Sequence, residues 1–151
     1  MPIKNATVAK LRKLGADTAD VAIIATTLDG AVFYWNEAAS RLYGWPSDEA
    51  RGRNILELTP ALQARELAAA VMEQLCKGRS WSGEIALRRQ DGGPFSAFVV
   101  DVPAPFGAPD PQVIVGVSAE LARKAKVLRQ SARLEIELVS LQSLSGSDGN
   151  T

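Results

Sequence analysis

Few residues of this chain are of the types that carry out covalent or acid–base chemistry. It has 151 residues, no histidine and one cysteine, Cys76. The lack of histidine excludes Ser-His and Cys-His nucleophiles, histidine-bound zinc and histidine-bound haem within the chain. Glu66 and Glu73 lie seven residues apart on a predicted helix, where a solvated face is a commoner outcome than an acid–base pair. We therefore expect no enzymatic activity and no metal site.

The charged residues are balanced in number but unevenly placed. Lysine plus arginine and aspartate plus glutamate both total 17, with the basic residues concentrated in 1–14 and 119–144 around a more acidic body. A nucleic-acid surface normally needs one concentrated basic face, so no nucleic-acid partner is expected. No apolar run approaches the ~20 residues that span a bilayer. Since the N-terminus also lacks a signal-peptide pattern, we expect a cytoplasmic protein with no membrane partner.

Cap and turn residues divide the chain into helices and strands. Asp29-Gly30 is typical of a hairpin turn, and Asn36 is a favourable N-cap for a helix that Gly44 ends. Thr59-Pro60 has the residue types preferred at the start of a helix. In order, the predicted elements are a helix over 3–14, strands 20–28 and 31–35, a helix over 37–43, a short turn at 47–49, a helix over 60–77, strands 81–89, 95–102 and 112–118, and a helix over 119–144.

This order predicts an α+β fold built on one five-stranded, mainly antiparallel sheet. The strand 95–102 is apolar on both sides, with Ala97 and Val99 facing one way and Phe98, Val100 and Val102 the other. A sheet that is apolar on both faces needs two covers. The internal helices supply one cover, and the flanking helices or a second subunit must supply the other.

Three stretches of the sequence resemble the PAS domain, a sensor module. They are TTLDGAVFYWNEAASRLYGWPSDEARGRN, WSGEIALRRQDGGPF and VIVGVSAEL, which lie between residues 26 and 121. The resemblance implies short helices on one face of the sheet and flanking helices at both ends. It divides the chain into an N-terminal flanking helix (1–15), the PAS domain (20–118), a C-terminal signalling and dimerisation helix (119–144) and a flexible tail (145–151).

In PAS domains the sheet and the short helices enclose a pocket that holds a cofactor, a metabolite or nothing. The resemblance places Trp35 on the wall of that pocket, although a plain core role for the same residues is an equal alternative. Large aromatic side chains reduce the free volume and so favour a small ligand or none. The candidate pocket residues are Ile24, Thr26, Trp35, Ala39, Tyr43, Ile55, Leu58, Leu87, Ala97 and Val99.

The identity of the ligand is constrained mainly by what is missing. The LOV branch of the family attaches flavin to a cysteine directly after a Gly-x-Asn motif, but here Gly52-Arg53-Asn54 is followed by Ile55. Leu87 and Ala97 stand where LOV amides hold the flavin ring, and histidine-ligated haem is excluded. We therefore expect a small apolar or amphipathic ligand, such as a fatty acyl chain, if the pocket binds anything.

The C-terminal helix is amphipathic, with two neighbouring apolar stripes. A homodimer with coiled-coil character is the favoured use of these stripes, and folding back on the sheet is the alternative. PAS domains often carry Asp-Ile-Thr where the last strand meets this helix; Glu120-Leu121-Ala122 stands here, making Glu120 the candidate signal junction. The candidate dimerisation residues are Leu11, Leu14, Leu121, Leu128, Leu134, Leu138 and Leu141.

The resemblance therefore implies a sensory module of a signal-transduction protein. It would sense a small ligand or partner and relay the change through dimerising terminal helices to an effector domain or partner protein. The alternative is a ligand-free PAS domain with a filled core that serves dimerisation or protein interaction.

Overall fold

The computed structural model describes residues 2–106, 108, 110–139 and 141, so the predicted tail at 145–151 lies outside the described residues. Short 3₁₀ turns at Ala16–Thr18, Leu62–Ala64 and Leu121–Arg123 connect the main elements. These elements are α1 (Pro2–Lys13), β1 (Ala22–Thr27), β2 (Val32–Trp35), α2 (Glu37–Tyr43), α3 (Ser47–Ala50), α4 (Ile55–Leu58), α5 (Arg65–Cys76), β3 (Trp81–Arg88), β4 (Pro94–Ala104), β5 (Val113–Glu120) and α6 (Lys124–Leu138).

The strands form one five-stranded sheet in the order β2-β1-β5-β4-β3, and each neighbouring pair is antiparallel. The predicted α+β class and antiparallel sheet are therefore confirmed. In the central register Gly116 of β5 lies between Ile24 of β1 and Asp101 of β4. This register determines which side chains meet on the inner face, which α2 to α5 cover.

The two helices at the ends of the chain cover the outer face of the sheet. Leu11 of α1 and Val127, Leu134 and Leu138 of α6 are fully buried there. They pack against outward-facing side chains of the sheet, which include Ile23, Phe98, Val100, Val102, Val113, Val115 and Val117. This apolar burial is a main source of folding free energy. The second cover that the sequence requires is therefore supplied by helices of this chain itself.

A buried asparagine joins the start of the domain to its first internal helix. The Asn36 side chain donates hydrogen bonds to the carbonyls of Ala16 (2.8 Å) and Val21 (3.0 Å). Its Oδ1 accepts hydrogen bonds from the backbone N–H groups of Ile23 (3.0 Å) and Ala39 (2.9 Å). The predicted N-cap of α2 is thus confirmed, and the same amide also fixes both ends of the segment that leads into β1.

The helix predicted over 60–77 begins five residues late. The chain at Thr59–Ala61 runs beside β3 instead, where Arg88 N donates to the Thr59 carbonyl (2.9 Å) and Ala61 N to the Ala86 carbonyl (3.1 Å). These long-range hydrogen bonds outweigh the local preference of Thr59-Pro60 for a helix start. The helix α5 begins at Arg65, and Asn54 caps the short, unpredicted helix α4.

The helix predicted from residue 119 also begins late. Strand β5 continues to Glu120 because Ala119 pairs with Phe98 and Glu120 with Ala97 across the β4–β5 ladder. The 3₁₀ turn Leu121–Arg123 follows before α6 begins at Lys124. Among the described helices, none has both the length and the hydropathy needed to cross a membrane.

We expect replacement of Asn36 by alanine to lower the free energy of unfolding by about 2–4 kcal/mol, because four buried backbone groups lose their partner. The matched control is Asn54→Ala at the cap of α4, whose amide is more exposed and whose loss should cost about 1 kcal/mol. Urea unfolding of both variants tests this. Equal losses would contradict the structural weight given to Asn36.

Candidate functional site

A cavity of about 100 Å³ lies between the inner face of the sheet and the helices α2, α4 and α5. Its floor comes from four adjacent strands, β1, β5, β4 and β3. Apolar side chains from the helices close it from above, including Val71, Met72 and Leu75 of α5. The cavity is small, since pockets for drug-sized ligands hold about 300–1,000 Å³.

Six of the ten predicted pocket residues line this cavity. They share a position on the inner face of the sheet or on the facing surface of α2 and α4, and they are Ile24, Thr26, Tyr43, Ile55, Leu87 and Val99. The inward alternation of the strands accounts for the four sheet residues among them, Ile24, Thr26, Leu87 and Val99.

The other four, Trp35, Ala39, Leu58 and Ala97, are buried in the core beside the cavity and do not line it. The Trp35 indole N–H donates to the Trp45 carbonyl (2.9 Å), and its ring lies 5.6 Å from that of Tyr43. Trp35 is therefore part of the packed wall behind Tyr43. The alternative core role describes it better than the pocket role.

Asp101 of β4 is a cavity residue that the sequence analysis missed. Its carboxyl group lies over Gly116, so close that a Cβ added at Gly116 would be 2.5 Å from Asp101 Oδ1. Burial raises the pKa of Asp101 to about 7. The signal was present, because strict alternation from Ala97 and Val99 puts Asp101 on the same inward face.

Four residues with hydroxyl groups, Thr26, Tyr43, Thr59 and Ser118, also line the cavity. The hydroxyl groups of Tyr43 and Ser118 lie 2.7 Å apart and share a hydrogen bond, and burial raises the pKa of Tyr43. Thr26 is buried, and its Oγ1 has no hydrogen-bond partner among the described residues. The cavity thus combines a mainly apolar lining with one carboxyl group and an unpaired hydroxyl group.

The candidate junction residue Glu120 lies at the end of β5, the strand that carries Ile114, Gly116 and Ser118 into the cavity. Its carboxylate pairs with the Arg89 guanidinium group at 2.7 Å. The same guanidinium group lies 4.2 Å from the Phe95 ring centroid. One strand therefore joins the cavity floor directly to the start of the C-terminal segment.

The predicted dimerisation residues divide into two sets. Leu11, Leu134, Leu138 and Leu141 are buried against the chain's own sheet, so α6 uses this stripe in the fold-back alternative. Leu14 is half-buried, whereas Leu121 and Leu128 are exposed. Ile136, which the prediction did not include, and Val139 at the C-cap of α6 extend the exposed stripe.

A family model for the PAS fold matches residues 10–107. The chain belongs to the PAS family. Its five-stranded antiparallel sheet and the short helices on one face are the arrangement that the resemblance implied. A comparison with curated protein sequences gave no match.

Solved structures of PAS and LOV proteins share this PAS fold. The PAS domain of a Colwellia psychrerythraea protein is 22% identical with a TM-score of 0.66, and the match covers 77% of this chain and 98% of that one. The Rhodobacter sphaeroides LOV protein is 22% identical with a TM-score of 0.64, over 76% and 69% of the two chains. The PAS domain of an HTR-like protein from Haloarcula marismortui is 17% identical with a TM-score of 0.57, over 78% and 99%.

The raised pKa of Asp101 makes the stability of this PAS domain depend on pH. In the unfolded chain Asp101 loses its proton near pH ~4, whereas in the folded state it keeps the proton up to about pH 7. The free energy of unfolding therefore falls as the pH rises through this window. We expect Asp101→Asn, which is neutral throughout, to be more stable than the wild type by about 2 kcal/mol at pH 8. This free-energy difference is roughly half of the value that the full pKa shift implies, because Asp101 is partly accessible to solvent, which screens its charge.

Urea unfolding of both proteins at pH 4.5, 6 and 8 measures the difference in free energy. It should shrink as the pH is lowered. The exposed Asp48→Asn variant controls for a general charge effect and should show no such trend. A difference between Asp101→Asn and wild type that is constant with pH would contradict a protonated Asp101.

Proposed function

We propose that this PAS domain is a sensory module of a signalling protein and that its inner cavity binds a small ligand. The observation that carries the proposal is the cavity itself, whose floor includes the strand that leads into the C-terminal helix. A space of about 100 Å³ bordered by a cavity-facing carboxyl group is what a small ligand would fill. A fully packed core, as in the interaction-only alternative, would leave neither feature.

The ligand class follows from the size and lining of the cavity. About 100 Å³ is too small for a long fatty acyl chain, so within the expected apolar or amphipathic class we propose a compact molecule. Ile55, which stands where LOV domains have their reactive cysteine, contributes a hydrocarbon wall instead of a thiol. We accordingly propose neither a LOV photoadduct nor haem, and we propose no catalysis, which is supported by the single carboxyl group among the described lining residues.

The relay would run along β5. Ser118, whose hydroxyl group meets Tyr43, lies two residues before Glu120. A ligand that binds two arrangements of β5 with different affinity shifts the balance between them. The Arg89–Glu120 ion pair holds the end of this strand, so a shift of β5 would reach α6 through the turn Leu121–Arg123.

We further propose that a second copy of the chain pairs on an exposed stripe along α6 and the residues at its two ends, defined by Leu121, Leu128, Ala132, Ile136 and Val139. Charge complementarity supports a second copy over an unrelated partner. The first half of α6 carries Lys124 and Arg129, Arg133 follows, and Glu135 lies in the last turn, whereas Lys126 and Glu137 pair with Asp20 and Lys10 of the same chain. In an antiparallel pair, the basic half of one helix faces the acidic end of the other, as in coiled coils with complementary flanks.

Native mass spectrometry of the purified protein, followed by denaturation and extraction, tests the ligand. We expect a mass in excess of the bare chain that is released on unfolding. The variant Ala68→Leu, which enlarges a side chain that lines the cavity from α5, should lose that mass while remaining folded by circular dichroism. A bare-chain mass in wild type prepared from several hosts would favour the interaction-only alternative.

Sedimentation velocity tests the dimer. Ile136 is 74% exposed. Because Ile136→Glu would bury a charge in the dimer, it should weaken the association by about 100-fold, which corresponds to roughly 3 kcal/mol. Leu128→Glu should act in the same way. Leu62→Glu is the matched control, since Leu62 is 69% exposed but lies outside α6. A wild-type protein that stays monomeric at about 100 μM would contradict the proposal. So would a dimer whose association neither α6 variant weakens.

A further inference from the structure

The position of Asp101 is built into the sheet. It lies opposite Gly116 in the β4–β5 ladder, and only the absence of a side chain at Gly116 leaves space for its carboxyl group. The neighbouring inward positions on the floor hold aliphatic side chains, such as Ile24, Val99 and Ile114. An ionised acid in that position lowers the stability of the folded state, because a charge without a partner in apolar surroundings is unfavourable.

The carboxyl group of Asp101 has no hydrogen-bond or ion-pair partner within the described part of the chain. No lysine or arginine contributes to the cavity wall there, and Tyr43 is the one other titratable residue on it. Burial raises the pKa of Tyr43 as well, so its hydroxyl group is neutral near pH 7. The cavity therefore contains an acid but no compensating cation.

A second polar group, independent of Asp101, also lacks a partner. Thr26 Oγ1 on β1 is buried with no hydrogen-bond partner among the described residues, although buried hydroxyl groups are normally paired. Thr26 and Asp101 reach the cavity from opposite sides of β5. The Thr26 hydroxyl oxygen has almost no accessible surface, so it lies behind the lining, and Asp101 is the acid that faces the cavity.

We propose that the cavity binds a small organic cation, an alkylammonium group on a short apolar body, whose N–H groups donate to the Asp101 carboxylate. This rests on the proposed ligand-binding function and names the chemistry of its ligand. A charge-assisted hydrogen bond supplies the partner that Asp101 lacks, and the aliphatic walls accept the hydrocarbon. An anionic ligand would be repelled by the same carboxylate.

The chemistry of the wall also argues against a bare metal ion. Calcium prefers six to eight oxygen ligands and magnesium a nearly ideal octahedron. The described lining residues offer one carboxyl group and a few hydroxyl groups among aliphatic side chains. The volume of about 100 Å³ is comparable to the roughly 150 Å³ that holds benzene in an engineered apolar cavity, which limits the cation to about five or six heavy atoms.

The probes are isobutylammonium, its neutral isostere isobutanol and the anion isobutyrate, each titrated into the purified chain at pH 8 and followed by thermal melting and calorimetry. We expect saturable stabilisation by isobutylammonium with an affinity at least about tenfold higher than that of isobutanol, the ratio given by ~1.4 kcal/mol. Isobutyrate should not bind. Affinity for the cation should decrease as pH is lowered through 7, where Asp101 gains a proton, while Tyr43 remains neutral throughout.

Asp101→Asn keeps the shape of the side chain and should reduce the affinity for isobutylammonium to that for isobutanol. Thr26→Val, a close steric match without the hydroxyl group, should leave the affinity for the cation nearly unchanged, because the Thr26 hydroxyl oxygen has almost no accessible surface. Asp48→Asn, which removes an exposed acid far from the cavity, should have no effect. Each of the three variants is a single small change and should fold. Circular dichroism and thermal melting check the folding before each titration.

The outcomes separate this inference from the proposed function. Equal binding of isobutylammonium to wild type and Asp101→Asn, or a preference for isobutanol or isobutyrate, overturns the cation proposal. A neutral or anionic molecule released in native mass spectrometry also overturns it but leaves ligand sensing intact. Failure of all three probes together with a bare-chain mass overturns both.

Discussion

The buried amide of Asn36 is the interaction on which the rest of this structure depends. It satisfies four backbone groups at once, two carbonyls and two N–H groups. Those groups belong to the turn after α1, the start of β1 and the first turn of α2. The amide therefore couples the outer cover of the sheet to the inner one. It also fixes the helix that carries Tyr43, so the position of the cavity roof follows from a hydrogen-bond network some distance from the cavity.

The parts of the fold that the sequence predicts well are those that local chemistry determines. The cap Asn36, the turn Asp29-Gly30 and the C-terminal Gly44 act within a few residues, so the bounds of α2 were predicted correctly. The start of α5 was not, because Thr59 and Ala61 are held by β3, which is more than twenty residues away along the chain. Glu120 likewise stays in strand because it pairs with Ala97. Such long-range contacts can be predicted only once the order and register of the strands are known.

The cavity was predictable to the same extent. Period-two alternation found Leu87 and Val99, but it could not show that Trp35 would be turned into the core by its bond to the Trp45 carbonyl. Asp101 was on the correct face, yet an acid in an apolar strand reads as an exposed position. Its tolerance depends on Gly116 being the residue opposite, and that pairing is a property of register. The most informative residue of the site is thus the one that local rules treat as an exception.

The sheet itself gives a physical route between the cavity and the surface of α6. Asp101 faces the cavity, while its neighbours Val100 and Val102 face the outer core, where α6 packs through Val127, Leu134 and Leu138. Packed interiors transmit displacement because they contain little free volume. A change in the charge or partner of Asp101 that shifts β4 or β5 therefore bears directly on the buried stripe of α6. Because the exposed stripe belongs to the same helix, the proposed pairing with a second copy would respond to the same shift.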